Sequence, residues 1–304
     1  PRSSPASAGS ARTTTPPAIQ MAKVAIVGRP MTIIGRARSA TTERFRRQSF
    51  LGPHSEEVFS NVRIGVIGVS GGGSHVVQQT AHVGFLDYAL FDGQRIDESN
   101  LNRWVGATEA EVAAGRLKVE IAARAIRGIR SRAIVQAIPA RWQDSPEIFR
   151  TCDVIFGCVD GFAERHQIET SCRRYLIPYI DIGMDVRVVR GQAPRMAGQI
   201  ILSTPGGLCM QCIGFLNERT LAQEAQNYGD AGDHPQVVWA NGVLASTAVG
   251  LGVDLVTGWT GRTAMVEYLS FDGNTGTVSP HVRLVHLQDG SCHHHSQEGA
   301  GDPL

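Results

Sequence analysis

Between residues 63 and 183 the hydrophobic period switches repeatedly between two values. Short apolar runs of strand length alternate with segments whose apolar residues recur at helical spacing. The runs are RIGVIG (63–68), DYALFD (87–92), AIVQAIP (133–139), CDVIFGCVD (152–160) and PYIDIG (178–183). Helical stretches reach about residue 83, cover 109–129 (EAEVAAGRLKVEIAARAIRGI) and cover 161–175. This alternation predicts βαβ units, and hence an α/β, Rossmann-like, doubly wound and mostly parallel sheet. After Gly183 the pattern changes. VRVVR (186–190) and GQIILS (198–203) alternate like antiparallel strands, 226–236 reads as a crossover loop, and a long apolar helix follows within 237–259. MVEYLSF (265–271) and HVRLVHL (281–287) are the remaining strand candidates of an antiparallel C-terminal extension.

Composition narrows the partners. The 29 Lys and Arg against 28 Asp and Glu give a net charge of +1, which supplies no basic footprint for nucleic acid or an anionic membrane. The apolar stretch 237–259 carries Asn241 and Asp254 and is rich in small residues, so it reads as a core helix and not a membrane span. Residues 1–20 are rich in Pro, Ser, Ala and Thr and lack the apolar segment of a secretion signal, which points to a cytoplasmic protein with a disordered leader and Met21 as a candidate start. Residues 22–28 have strand character without an evident place. The expected division is therefore an uncertain leader over 1–40 and one domain over 41–304, entered through the basic amphipathic segment 41–61.

The first strand of the alternation ends in IGVSGGGS (67–74). Gly68, Ser70, Gly71, Gly72 and Gly73 form a GxGxxG-like turn, with Ser70 in place of the middle glycine. Such a turn brings backbone close to a phosphate and opens a helix whose N–H groups favour an anion. Asp92 lies 19 residues beyond Gly73, at the end of the next strand, where a carboxylate would accept from a ribose hydroxyl. This much suits a dinucleotide dehydrogenase equally. Asn100 and Arg103 follow the second strand, Lys118 opens the next helical stretch, and Asp160 ends the fourth strand with Arg165 one turn later. Cations, an amide and a second carboxylate at one sheet edge suit a triphosphate and Mg²⁺, which hydride transfer does not require. Only Lys23 and Lys118 are lysines in a chain that otherwise writes its cations as Arg.

Taken together, RFRRQ (44–48), IGVSGGGS, FD (91–92), SNLNR (99–103), GRLKVE (115–120), CVDGFAERH (158–166), MAGQI (196–200) and GGLCMQC (206–212) resemble the ThiF/MoeB/HesA adenylyltransferases, relatives of the ubiquitin-activating enzymes. The resemblance runs from about residue 43 to the C-terminus. It implies ATP-dependent adenylation of the C-terminal carboxylate of a ubiquitin-like protein or peptide. By position it gives Asp92 to the ribose, Asn100, Arg103 and Lys118 to the phosphates, and Asp160 to magnesium. It also gives Arg47 to the γ-phosphate of a partner subunit, and so implies a homodimer.

Cys209 and Cys212 form a CxxC, half of a tetrahedral thiolate site. Relatives supply a second CxxC near the C-terminus, where this chain has Cys292-His293-His294-His295. Cys292 with His295, which keeps the two-residue spacer, completes a zinc site on this reading, with His294 also in reach. A reversible disulfide or inert thiols are the alternatives. Relatives that form a thioester place a cysteine in the crossover loop, and residues 217–245 contain none. The expected product is an adenylate handed directly to a sulfur donor, an amine or another protein. The other functional readings are an NAD(P)-dependent oxidoreductase and a non-catalytic nucleotide-binding partner of a ubiquitin-like protein.

Overall fold

The computed structural model describes residues 22–26, 29–33, 42–226, 235–261, 266–287, 292–295 and 301. The expected leader over 1–20 and most of the expected crossover loop lie outside the described residues. Strands β1 (Ala22–Ile26) and β2 (Arg29–Ile33) pair antiparallel. A 3₁₀ segment (Glu43–Leu51) and α1 (Ser55–Asn61) lead into β3 (Arg63–Ile67), α2 (Gly71–Val83) and β4 (Asp87–Phe91). Next come α3 (Glu109–Ala113), α4 (Lys118–Ile129), β5 (Ile134–Ile138), α5 (Pro146–Phe149), β6 (Val154–Gly157) and α6 (Phe162–Arg174). The chain continues through β7 (Tyr179–Arg187), β8 (Arg195–Ser203), α7 (Glu218–Gln226), α8 (Val238–Thr257), β9 (Val266–Asp272) and β10 (Thr277–Pro280).

Eight strands form one sheet in the order β10-β9-β8-β7-β6-β3-β4-β5. From β7 to β5 every pairing is parallel, and β8, β9 and β10 add antiparallel to the other edge. The α/β, Rossmann-like class with an antiparallel C-terminal extension is the observed one. From β3 the chain moves outward to β4 and β5, then returns to β6 on the other side of β3. The strand order therefore reverses between β3 and β6, and ligands of open parallel sheets bind beyond the carboxyl ends at such a point.

Three elements differ from the expected pattern. The expected helix 109–129 is two, because Gly115 has φ +56° and the Arg116 carbonyl accepts from Ile96 N, leaving the helical ladder. PYIDIG and the start of VRVVR are one strand, β7, paired along its whole length with β8. HVRLVHL is not a strand: Val282–His286 form a 3₁₀ turn, and β10 lies earlier, joined to β9 by a turn over Gly273–Gly276. The apolar stretch expected as a core helix is α8, the one helix among the described residues long and apolar enough to cross a bilayer. Ala240, Leu244, Ala245, Ala248 and Val256 bury one side of it in the same core as Val76 and Val77 of α2 and Ile180 and Ile182 of β7.

Candidate functional site

The glycine-rich turn leaves β3 with Gly68 at φ +79° and its N–H donated to the Phe91 carbonyl. A Cβ on Gly73 would stand 2.0 Å from the Gly68 oxygen, and one on Gly68 would stand 2.5 Å from the Cys158 oxygen. Only glycine lets the turn fold this tightly and lets the carboxyl ends of β3 and β6 abut. Gly72 sits against Ile182, and Gly71 opens α2 with Ser70 as its N-cap. Asp92 grips the same turn: Oδ2 accepts from Val69 N at 3.2 Å, while Oδ1 accepts from Gln94 N at 2.9 Å.

The loop after β4 zips against the start of α4. Ile96 N donates to Arg116 O and Lys118 N to Gln94 O, which fixes where Lys118 emerges. Lys118 is 6% exposed, and its Nζ donates to Gln94 Oε1 at 2.7 Å. Asn100 is buried and its Oδ1 accepts from Asp97 N, closing a reciprocal cap, so its Nδ2 is the end left to meet a ligand. Arg103 is half-buried and folds back on Ser99 O and Asn102 Oδ1. Asp97, which the pattern reading passed over, lies among these groups. The Ser99 hydroxyl holds its carboxyl below the usual range against a smaller opposing effect of burial, and the charges of Lys118 and Arg103 add to the lowering.

Asp160 is exposed beyond β6, with Oδ1 accepting from Gln236 Nε2 at 3.0 Å. Gln236 also accepts at its backbone oxygen from Asn102 Nδ2, so this residue, two before α8, ties Asp160 to the loop after β4. Glu224 of α7 accepts from Phe162 N and Ala163 N and caps α6 beside Asp160. Arg165 does not join the crevice. It is buried, and its Nε donates to Asp181 Oδ1 at 3.0 Å while Nη1 donates to the Asp160 carbonyl. Its charge is neutralised inside the protein. Arg47 is exposed on the 3₁₀ segment and makes no hydrogen bond or ion pair among the described residues.

A second cluster lies away from this crevice. The ligand atoms of Cys209, Cys212, Cys292 and His294 all lie within 4.8 Å of one another. His294 Nδ1 stands 3.5 Å from Cys209 Sγ and 3.2 Å from Cys212 Sγ, and Cys212 N donates to Cys209 Sγ at 3.4 Å. Three thiols and an imidazole are a donor set that suits zinc. His294 therefore stands with all three thiols, whereas the expected His295 groups with Cys209 and Glu169. His295 turns instead toward Glu169, its Nε2 3.8 Å from Oε2. Burial opposes ionisation of Cys292, but the His294 N–H, the Cys209 thiol and other neighbours outweigh it and pull the thiol below its usual range. Glu169 is fully buried. Burial pushes its carboxyl up, yet His295, Arg173, the Ser203 hydroxyl and Met210 N together bring it below the ordinary value.

The glycine turn after β3 is thus bonded to Asp92, and Gln236 joins Asp160 beyond β6 to Asn102, the neighbour of Arg103. The model of the ThiF family matches residues 43–294. The chain belongs to the ThiF family. It is 26% identical over 224 residues to the molybdopterin-synthase adenylyltransferase of Escherichia coli K12, covering 72% of this chain and 82% of that enzyme. It is 28% identical over 165 residues to the SAMP-activating enzyme E1 of Haloferax volcanii, covering 54% of this chain and 57% of that one. The Aspergillus terreus adenylyltransferase and sulfurtransferase uba4 is 31% identical over 186 residues, which span 56% of this chain and 36% of that protein. The chain thus spans only about a third to a little over half the length of several relatives. Among solved structures, E. coli MccB with MccA-N7isoASN superposes with a TM-score of 0.64 at 18% identity, covering 82% of this chain and 74% of that one, and shares the fold.

Proposed function

We propose that this protein uses ATP to adenylate the C-terminal carboxylate of a ubiquitin-like protein or peptide. The observation that carries the reading is the meeting at one strand reversal of the Asp92-gripped glycine turn with Asp160, Arg103 and Lys118. The names of the relatives support it, since adenylyltransferases and an activating E1 are among them. A carboxylate attacking an α-phosphate must approach a group of its own charge and expel pyrophosphate. Lys118 and Arg103 would offset that repulsion, and Asn100 Nδ2 would orient an anionic oxygen; a preorganised donor of this kind is worth ~10²–10³ in rate. Asp92 would receive the ribose. The exposed carboxylate of Asp160 fits Mg²⁺, which would neutralise phosphate charge there once the Gln236 amide yields it.

The same reading makes the protein a homodimer in which Arg47, free on the surface, reaches the neighbour's nucleotide. It also makes the Cys209, Cys212, Cys292 and His294 cluster a structural zinc site, and the cytoplasm, where thiols stay reduced, the fitting compartment. With no cysteine over residues 217–245, the adenylate passes directly to an acceptor outside this chain. The division into a leader and one domain from residue 41 belongs to the same proposal. An NAD(P)-dependent oxidoreductase accounts for the turn and Asp92 but gives Arg103, Lys118 and Asp160 no task, whereas a non-catalytic nucleotide-binding partner would use them to hold ATP and would show no exchange. The test is ATP–pyrophosphate exchange with a Gly-Gly-ended ubiquitin-like protein and, separately, a short peptide. Exchange that depends on either supports the proposal. Quenching of nicotinamide fluorescence without exchange would favour the oxidoreductase.

A further inference from the structure

Two buried polar atoms at the start of α2, one at its N-cap and one on the neighbouring α8, have no partner among the described residues. They are Ser70 Oγ and Asn241 Nδ2, neither of which has a hydrogen-bond partner among the described residues. Asn241 is only 5% exposed. Its Nδ2 lies 3.2 Å from the point where Gly71 would carry a Cβ, and its Oδ1 lies 3.8 Å from the equivalent point on Gly72. The amide is therefore aimed at the start of α2 from the neighbouring helix. A buried amide without a partner costs folding free energy, and a leucine would serve this apolar helix better. An acceptor from outside the chain would remove that cost.

The first N–H groups of α2 lack intrahelical acceptors, and the helix dipole there favours negative charge. Gly71, at φ +36°, puts no side chain in front of the amide, and the Gln236 side chain borders the space a Cβ would take. Asp92, the acid bonded to this turn, is already engaged with Val69 N and Gln94 N and offers the amide nothing. We propose that Asn241 is a nucleotide-binding residue whose Nδ2 donates to a phosphoryl oxygen of ATP seated on the first turn of α2, with the Ser70 hydroxyl as a second donor. The proposal rests on the adenylation reading. It also gives Gln236 a place: its Oε1 stands 3.0 Å from the same Gly71 point while its Nε2 holds Asp160, so phosphate arrival displaces one side chain from both.

The experiment compares Mg·ATP and adenosine binding to the full chain as wild type, Asn241→Leu and Asn241→Asp, with melting curves taken without nucleotide. Loss of one hydrogen bond to a charged group should weaken ATP binding about 10- to 100-fold in the leucine variant. Its melting temperature should equal or exceed that of wild type. The aspartate variant should lose at least as much ATP affinity, because a carboxylate then faces phosphate. Adenosine, which has no phosphate, should bind all three alike. ATP affinity unchanged in both variants overturns the proposal, as do equal losses for ATP and adenosine. Should the leucine variant fail to fold, the near-isosteric aspartate variant decides by the same ATP-to-adenosine comparison. A wild type that binds no ATP overturns the adenylation reading itself, which the variants alone cannot do.

Discussion

Two arginines near the crevice have opposite duties, and substitution should separate them. Arg103 is half-buried and, among the described residues, bonded only to its own loop, so Arg103→Ala should leave the melting temperature nearly unchanged and cut exchange ~10²-fold or more. Asp160→Ala should behave the same way. Arg165→Ala should instead strand Asp181, which is 0% exposed, at a cost of about 3–5 kcal/mol of stability. Thermal melts beside pyrophosphate exchange check all three, and near-normal exchange by Asp160→Ala would sink the triphosphate assignment. At this scale the sequence was legible where backbone chemistry dictates residue type. A strand, a run of glycines and an acid at the next strand end permit few geometries. It was illegible where the outcome depends on which way a side chain turns. Nothing in CVDGFAERH reveals that Arg165 points inward, because its partner Asp181 lies on another strand. Asn241 was visible only as a polar residue in an apolar helix, the mark of a group kept for a partner.

Among the elements, the packing of α2 on α8 carries a titratable group. His75 of α2 faces Gly242 of α8, where a Cβ would come within 3.3 Å of its ring. Burial lowers its pKa from 6.5, and a hydrogen bond with the Val238 backbone only partly offsets this. Nε2 is buried without a partner among the described residues, so protonation would place an unpaired charged N–H between two helices. The folded state thus favours the neutral ring. That stability is complete above the unfolded value near 6.5 and is lost as pH falls below it. Melting temperature should therefore decline between about pH 6.5 and 5, before the carboxylates titrate, and His75→Asn should flatten this decline. An equally steep decline in that variant would place the sensitive group elsewhere. Strands β3, β4 and β6 were legible because both faces are buried, so their sequences read as plain apolar runs between turns. HVRLVHL misled because alternation of Val282 and Leu284 imitates a strand over a few residues. The turn signal that places β10, DGNTG, was present in the sequence: Asp272 Oδ1 accepts from Asn274 N and Thr275 N, and Gly276 has φ +72°.

For the whole molecule, two long-range ties make predictions. Arg47 lies outside the sheet, and an arginine that acts only across a dimer can be supplied by another copy. Mixing inactive Arg47→Ala with inactive Asp160→Ala should restore part of the exchange activity through hybrid dimers. No rescue despite demonstrated subunit exchange would count against completion in trans. The second tie joins Cys209 and Cys212 to Cys292 and His294, with Cys292 80 positions beyond Cys212. Its first half is held to α6 by hydrogen bonds of its own, Arg173 donating to Gly207 O and Leu208 O and Glu169 accepting from Met210 N. The tail brings the other half, so metal binding there is partly folding energy. Spacing alone could not distinguish His294 from His295, since adjacent residues differ only in which way each side chain turns. Here His294 meets the thiols and His295 meets Glu169, and the two substitutions should therefore differ. Protein purified reduced and without chelator should carry stoichiometric zinc by elemental analysis. His294→Ala should lose that zinc and melt at a lower temperature, as chelated wild type does, whereas His295→Ala should keep the zinc and lose only the tail's contact with α6. Zinc retained by His294→Ala but lost from His295→Ala would reverse the assignment, and no zinc in the wild type would return Cys209 and Cys212 to the role of plain thiols.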